Sequence, residues 1–109
     1  MKSLEVLFSP AEFQALKNRE LRGITCIVFD VLRATSTIVT ALANGARSVR
    51  AVETIEEALA EKRTNPRAIL AGERDGFRIT ARQTGSINFE LGNSPREFTP
   101  DNVRHRHIV

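Results

Sequence analysis

Apolar residues gather in short runs along the chain, and polar stretches separate these runs. The longest run, 24–31, is nearly continuous and rich in β-branched residues, which predicts a strand buried on both faces of a parallel sheet. Shorter runs predict three further strands, over 4–8, 48–52 and 68–71.

Helix signals stand between these runs. Two capping boxes, each a hydroxyl residue followed three positions later by glutamate, predict helices over 9–19 and 54–63. A third helix is predicted over 35–43, because Asn44-Gly45 offers residues that tolerate a left-handed helix end. Strand and helix therefore alternate through the first seventy residues. This rhythm predicts an α/β fold, with a mostly parallel sheet and helices on both faces.

The last third of the chain has a different pattern. Residues 72–93 hold four of the six glycines and predict a long loop with at most one irregular strand. A third capping pattern, 94–97, is limited to about one turn by the proline at position 100. The final pair, 108–109, has the pattern of a strand opening. A frayed natural terminus fits this ending, but we expect a truncated domain, so that 1–109 is the amino-terminal part of a larger α/β domain.

Truncation at a strand has an expected physical consequence. A sheet cut there leaves unpaired backbone groups, so we expect an exposed apolar surface near Val103, Ile108 and Val109. Such a chain is expected to be marginally stable, prone to associate and nearly inactive by itself. Its expected partners are further copies of itself or the missing carboxyl-terminal half.

Composition narrows the function classes. The net charge is +3 and thirteen of the sixteen basic residues are arginine, which suits bidentate binding of phosphate, sulfonate or carboxylate. The charges are scattered and Trp and Tyr are absent, which disfavours nucleic-acid binding. Cys26, the only cysteine, lies in the longest apolar run and is expected to be buried. Without a signal peptide or a run of about 20 apolar residues, the chain is expected to be cytoplasmic, with no membrane partner.

Two groups of polar residues follow predicted strands. Asp30 interrupts the most apolar run near its carboxyl end, and Arg33 with three hydroxyl residues follows at the start of the next helix. Such a helix start can bind an oxyanion, although a plain cap beside a surface arginine is the alternative. Glu73 and Arg74 follow a later strand, on the same predicted sheet edge. Two carboxylates there could complete a Mg²⁺ site, whereas the alternative is a turn with solvated charges.

Two further clusters lie towards the end of the chain. Asn93 and Ser94 precede a proline-started turn and offer an amide and a hydroxyl, although simple capping explains them equally well. His105 and His107 would share a face in a strand, but such a pair is more often incidental than metal-binding. No histidine is placed as a base for Ser94, so a Ser-His-Asp hydrolase has no support.

Three segments together resemble a known family. Residues 30–38 continuing through 41–46, residues 70–74 with Gly76, and residues 91–95 with Glu97 are similar, in order and spacing, to the motifs of the 2-phosphosulfolactate phosphatases. The resemblance implies a Mg²⁺-dependent phosphatase that converts 2-phospho-3-sulfolactate into 3-sulfolactate and phosphate, a reaction of coenzyme M biosynthesis. Another small phosphorylated acid is an open alternative, and the family is roughly twice this length.

The resemblance also suggests roles for individual residues. Asp30 and Glu73 are expected to hold Mg²⁺ and, with Ser94, to form the catalytic group. The alternative is a non-catalytic anion-binding or interaction module that keeps the fold. We expect six residues to line one cleft at the carboxyl edge of the sheet: Asp30, Arg33, Thr35, Glu73, Arg74 and Asn93. The residues expected to bind the phosphate or sulfonate are Arg33, Thr35, Ser36, Thr37 and Arg74. Asn93, also a substrate-binding residue, and Ser94 are expected to orient the acid end or the attacking water.

Overall fold

The computed structural model describes residues 2–109. Within that range the helices are α1 (Pro10–Ala15), α2 (Ala34–Ala43), α3 (Ile55–Thr64), α4 (Ala81–Thr84) and α5 (Pro100–Val103), with 3₁₀ turns at Leu16–Asn18 and Pro95–Glu97. The strands are β1 (Ser48–Val49), β2 (Glu73–Arg74), β3 (Phe77–Arg78) and β4 (His107–Ile108). None of the helices in residues 2–109 has the length and apolar character to cross a membrane.

Parallel pairing organises the sheet. β4 pairs in parallel with β1, with Ser48 opposite His107 and Val49 opposite Ile108. On its other side β4 meets Ile69 in a parallel bridge, and Ala71 in turn bridges Leu91 in parallel. The predicted α/β class with a mostly parallel sheet is therefore confirmed. Of the predicted strand over 48–52, Ser48 and Val49 pair with a neighbour, and of that over 68–71, Ile69 and Ala71 do.

The two long helices cover opposite faces of this sheet. Ile69 and Ile108 belong to the apolar cluster that contains Ala41 of α2. Leu70, one residue later, belongs to the second cluster, which contains Ala58 of α3 and receives Val109 at its margin. Because successive strand residues point to opposite faces, this alternation places α2 and α3 on different sides, as predicted.

Local hydrogen bonds define the helix starts. The Glu12 N–H donates to Ser9 Oγ at 3.3 Å, and the Glu12 carboxylate accepts the Ser9 N–H at 2.8 Å. Thr54 and Glu57 form the same reciprocal pair before α3, at 3.1 Å each way. These two boxes confirm the predicted helix starts, although the first helix ends at Ala15 and continues only as a 3₁₀ turn.

The third predicted capping box is wrong. Glu97 accepts the N–H of Gly92 at 3.1 Å rather than reaching back to Ser94, and Ser94 makes no side-chain cap. The segment is a 3₁₀ turn, and Pro100 begins α5 instead of only ending a helix. Proline suits that first helical position because its missing N–H is not needed there.

The prediction of a central strand over 24–31 is also wrong. Every residue from 22 to 32 is exposed and none is in a strand; Leu32 is 91 % exposed and Phe29 83 %. Cys26 is exposed as well, contrary to its predicted burial. The predicted first strand, 4–8, is likewise not formed. A strand exists only through hydrogen bonds to a neighbouring strand, and residues 2–109 contain no segment paired with either run.

The expected apolar surface at the end of the chain is absent from the described residues. Val103 and Ile108 are buried, at 0 % and 2 % exposure, and Val109 is half-buried. Pairing of β4 on both sides explains this burial, because the strand lies inside the sheet rather than at its edge. The longest stretch of exposed apolar side chains in the described residues is instead 24–32.

The glycine-rich stretch after position 72 is more regular than predicted. β2 and β3 form an antiparallel hairpin whose two loop residues, Asp75 and Gly76, have φ values of 54° and 79°. Positive φ at both loop positions is typical of a type I′ turn, for which Asp-Gly is a preferred pair. The one-turn helix α4 follows, so this part of the chain is a hairpin and a helix rather than a single loop.

The capping box of α3 predicts a pH effect. The N–H groups of Glu53 and Thr54 lower the pKa of the Glu57 carboxyl below its ordinary 4.5. A lowered pKa contributes stability that is present above the unfolded value and disappears as the pH falls through the folded value. Glu57→Gln is therefore expected to lower the urea midpoint at pH 6 and to differ less from the parent chain at pH 3. Glu56→Gln, in the same helix turn but outside the box, should lower the midpoint at pH 6 less, because it loses only its interaction with the helix dipole. An equal effect of the two substitutions would contradict the assignment.

Candidate functional site

A tight turn precedes α2 and is built by its own polar side chains. The Asp30 carboxylate accepts the Ala34 N–H at 3.1 Å. Thr35 Oγ1 accepts the Asp30 N–H at 2.9 Å and donates to the Asp30 carbonyl at 2.7 Å, and Ser36 Oγ donates to the Val31 carbonyl at 2.6 Å. The hydroxyls of Thr35 and Ser36 thus shape the turn. Asp30 is exposed, and its second carboxylate oxygen accepts no hydrogen bond from residues 2–109.

An ion pair connects this turn to the second motif. The Arg33 guanidinium bonds one oxygen of Glu73, and the side chains are 35 % and 17 % exposed. The other Glu73 oxygen accepts the Asn93 N–H at 3.0 Å. Thr37 Oγ1 donates to the Asn93 carbonyl at 2.7 Å. Arg33, Thr37, Glu73 and Asn93, called here the Glu73 cluster, join three motifs that are far apart in sequence.

Gly92 lets two carboxylates approach the same backbone position. A Cβ at Gly92 would lie 2.7 Å from Glu97 Oε2 and 3.2 Å from Glu73 Oε1, so no larger residue fits without displacing them. Glu97 also accepts the Gly92 N–H. Glu97 therefore lies beside the site. The interpretation of Glu97 as a capping residue did not predict this position. Its place in the third family motif was the available signal.

A cavity of about 290 Å³ opens beside the cluster. Thr37, Glu73, Arg74 and Asn93 line it, and most of the remaining wall is apolar. Arg74 donates to the carbonyl of Glu53 at 3.1 Å, which ties the hairpin to the segment before α3.

The expected cleft is divided between this cavity and the turn. The cavity wall does not include Asp30, Arg33, Thr35, Ser36 or Ser94. Arg33 joins the group through its ion pair, whereas Asp30 and Thr35 lie in the turn at the start of α2. The structure thus brings Arg33, Glu73 and Asn93 into direct contact and connects Asp30 to them through the beginning of the helix.

The carboxylates differ in how well they suit Mg²⁺. Mg²⁺ is commonly held by one or two carboxylates with waters and substrate phosphates. Asp30 fits this pattern, because it is exposed and one of its carboxylate oxygens accepts no hydrogen bond from the described part of the chain. Glu73 does not fit while Arg33 and Asn93 engage both of its oxygens. In residues 2–109 no three His, Cys, Asp or Glu side chains are grouped to hold a metal ion.

The two histidines lie in different structural elements. His105 lies in a turn at φ 61°, and its N–H donates to the Gly45 carbonyl at 2.8 Å. His107 lies in β4, with Nδ1 2.7 Å from Ser48 Oγ. Because only His107 is in a strand, the pair does not present one strand face to a metal.

Comparison with known proteins decides the family. Residues 11–109 match the family model described as 2-phosphosulpholactate phosphatase. The chain belongs to this family. The resemblance of its three motifs to this family is therefore confirmed. All three motifs of this 2-phosphosulpholactate phosphatase family member meet at the Glu73 cluster.

Several curated relatives carry the same name. A probable 2-phosphosulfolactate phosphatase of Clostridium acetobutylicum is 41 % identical over 95 residues, which are 86 % of this chain and 37 % of the relative. The Thermotoga maritima relative is 46 % identical over 78 % of this chain and 34 % of its own length. That of Pseudothermotoga lettingae is 52 % identical, over 67 % and 29 %. The chain thus spans about a third of the length of the curated relatives it matches.

Proposed function

We propose that this chain forms the part of a phosphatase that binds the phosphate and holds the metal ion. The substrate of that phosphatase is 2-phospho-3-sulfolactate or a similar small phosphorylated acid. The observation that carries the proposal is the Glu73 cluster. It assembles a guanidinium, a carboxylate and an amide residue from three distant motifs beside a cavity. Water would attack the phosphorus, the bond from phosphorus to the ester oxygen would break, and that oxygen would leave as the hydroxyl of 3-sulfolactate.

The anion-binding role falls to the start of α2 and to two arginines. Arg33 is about one-third exposed, so an incoming phosphate or sulfonate can reach its guanidinium. The positive end of the helix dipole favours the same anion. The N–H groups of Thr35 and Thr37 already donate to the carbonyls of Asp30 and Arg33, whereas the Ser36 N–H donates to no acceptor in residues 2–109 and can bind the anion. Arg74, at the cavity wall, supplies a second guanidinium for the other acidic group.

Asp30 is the proposed Mg²⁺ ligand, through its free carboxylate oxygen. When bound, Mg²⁺ would polarise the phosphate and make a coordinated water more acidic. Glu73 is proposed as the second ligand only when the phosphate has drawn Arg33 away from it. Until then Glu73 keeps Arg33 and Asn93 in place.

The third motif is proposed to orient the substrate or the attacking water. The backbone N–H and carbonyl of Asn93 are held by Glu73 and Thr37, so its side-chain amide is positioned from both sides. Ser94 is half-buried and makes no side-chain cap on the following turn, which leaves its hydroxyl available. Both groups can donate or accept hydrogen bonds with an acid group or a water.

Titration calorimetry with 2-phospho-3-sulfolactate, with and without Mg²⁺, tests this proposal. We expect binding that Mg²⁺ strengthens, and we expect Asp30→Asn to reduce that Mg²⁺-dependent gain about tenfold or more, in the range seen when metal-site groups are lost. Asp101→Asn is the matched control, because Asp101 is an exposed aspartate in the first turn of α5. It should bind like the parent chain.

The same samples distinguish phosphatase from binding module. Release of phosphate and 3-sulfolactate, followed by ³¹P NMR, supports an enzyme. Tight binding without turnover, also when the chain is extended by the remaining sequence of the Clostridium acetobutylicum relative, supports the non-catalytic anion-binding module. The full engagement of Glu73 by Arg33 and Asn93 is the observation that favours this second candidate. A folded chain that binds no phosphorylated acid at millimolar concentration contradicts both.

A further inference from the structure

An asparagine and a glycine follow each other at the end of α2. An Asn-Gly pair is the dipeptide most prone to spontaneous deamidation, because glycine has no side chain to keep its backbone nitrogen away from the preceding side-chain amide. Asn44–Gly45 is the only such pair in the chain. Whether it reacts depends on the geometry that the fold gives to these two residues.

The end of α2 is a Schellman motif. The Gly45 N–H donates to the Leu42 carbonyl at 3.1 Å, and the Ala46 N–H donates to the Ala41 carbonyl at 2.9 Å. Gly45 has a φ of 92°, a left-handed conformation that glycine adopts without strain. The Gly45 nitrogen, which would attack the Asn44 side chain in deamidation, is therefore fixed in the helix end with its hydrogen bonded to a helix carbonyl.

The conformation of Asn44 keeps its side chain away from that nitrogen. Ring closure requires Asn44 Cβ and the Gly45 nitrogen to be nearly eclipsed about the Cα–C bond, but a ψ of 11° at Asn44 rotates them well apart. The Asn44 side-chain amide donates to the Phe98 carbonyl at 2.7 Å, and the Gly45 carbonyl accepts the His105 N–H at 2.8 Å. Rotation to the reactive geometry would disturb hydrogen bonds to both of these distant segments.

We propose that Asn44 is a deamidation site that the folded chain protects and that unfolding makes reactive. In this reaction the Gly45 nitrogen loses its proton and forms a bond to Asn44 Cγ. The bond from Cγ to the side-chain nitrogen breaks, and ammonia leaves. Water then opens the cyclic imide, so that position 44 becomes aspartate or isoaspartate. Water is the only other reactant.

The product does not suit the folded helix end. A carboxylate at position 44 has no hydrogen to donate to the Phe98 carbonyl, so two acceptor oxygens would face each other. Its negative charge would lie at the carboxyl end of α2, where the helix dipole disfavours it. Isoaspartate adds a methylene to the backbone and changes the spacing of the Schellman motif. Deamidation therefore converts reversible unfolding into an irreversible loss of folded protein.

Incubation of the folded chain, and of the chain unfolded in urea at the same pH and temperature, tests the protection. Trypsin releases 34–47, in which Asn44 is the only asparagine or glutamine, and 97–104, in which Asn102 is the only one. Mass spectrometry follows the replacement of the amide by a carboxyl group in each peptide. Asn44 should convert about tenfold or more faster in the unfolded chain, because the folded chain reacts only through its rare open states.

Asn102 is the matched internal control. Its side-chain amide also donates to a backbone carbonyl, that of Glu97, at 2.7 Å. The next residue, Val103, is β-branched and hinders attack by its own nitrogen, so Asn102 should convert slowly in both samples. Equal rates for Asn44 in the folded and the unfolded chain would overturn the proposal. Conversion of Asn102 as fast as that of Asn44 in urea would also overturn it.

Two substitutions test the effect of the product. Asn44→Asp should reduce the ratio of folded to unfolded chain about tenfold or more, as expected when a partly buried acceptor loses its donor. Asn65→Asp is the control, because the half-buried Asn65 also caps the carboxyl end of a helix, α3, but its side chain donates no hydrogen bond in the described residues. It should reduce that ratio only about twofold, through the helix dipole. Equal losses would show that the Phe98 contact is not what the product breaks, and would overturn this step.

Refolding of an aged sample gives the same answer if Asn44→Asp does not fold. The parent chain is kept in urea until part of Asn44 has converted, the urea is removed, and folded chain is isolated by gel filtration. The folded fraction should contain a larger share of unconverted Asn44 than the aged sample. An unchanged share would show that the product refolds as well as the parent chain, which contradicts the proposal.

Discussion

Phe98→Ala is expected to lower the free energy of unfolding by about 3–5 kcal/mol, the range for deleting a buried aromatic ring. Phe98 is 3 % exposed and belongs to the cluster that joins α2 to the sheet. Its carbonyl also accepts the Asn44 side-chain amide at 2.7 Å, at the end of α2. Loss of the ring would leave a void between helix and sheet, next to a cavity that already exists there. Because small domains have only about 5–15 kcal/mol of stability, this change should remove a large fraction of it.

Phe77→Ala is the matched control for this prediction. The two substitutions remove the same atoms, but Phe77 lies in the β2–β3 hairpin and is 75 % exposed. Its loss should change stability by no more than about 0.5 kcal/mol, as is usual for surface sites. Urea denaturation followed by circular dichroism measures both variants. Similar midpoints for Phe98→Ala and Phe77→Ala would show that the apolar cluster of Ala41, Ile69, Phe98 and Ile108 is not the main core.

Glu73→Gln is expected to have the second-largest effect, on stability and on ligand binding together. The carboxylate is the shared acceptor for Arg33 and for the Asn93 N–H. An amide of the same shape has one acceptor oxygen, so one of the two donors loses its partner in a largely buried position. The cost is expected to be about 1–3 kcal/mol, the range for leaving such a group unsatisfied. Phosphate binding should also weaken, because Arg33 and Asn93 lose the carboxylate that keeps both in place beside the cavity.

Two measurements separate this role from a general loss of stability. The Nε–Hε signal of Arg33 in ¹H–¹⁵N spectra should shift in Glu73→Gln under conditions where the variant is still folded. Glu5→Gln removes the exposed partner of Arg19 and should change neither the Arg33 signal nor the urea midpoint, since an exposed ion pair contributes little. An unchanged Arg33 signal in Glu73→Gln would contradict the proposed positioning role.

Much of the local structure was predictable from the sequence. The two capping boxes, α2 and α3 formed where the pattern placed them. The hydrogen bonds that define these helix starts join residues about three or four positions apart, so donor and acceptor are both near neighbours in the sequence. The three motifs were also recognisable, because a family signature depends on residue order alone. Asp30, Glu73 and Asn93 were candidates from their positions after predicted strands or before a proline-started turn, and the three motifs include all of them.

Tertiary structure decided what those residues contact and which strands exist. The run 24–31 has the composition of a buried strand, yet it is exposed, because a strand needs hydrogen-bond partners that no segment of residues 2–109 provides. Val103 and Ile108 are buried for the converse reason: β1 and Ile69 flank β4 on both sides. In the same way, the sequence predicted Glu73 as a metal ligand, but only the fold brings the Arg33 guanidinium into contact with the Glu73 carboxylate. Local hydrogen bonding depends on neighbours in the chain, whereas strand pairing, burial and charge partners depend on residues dozens of positions away.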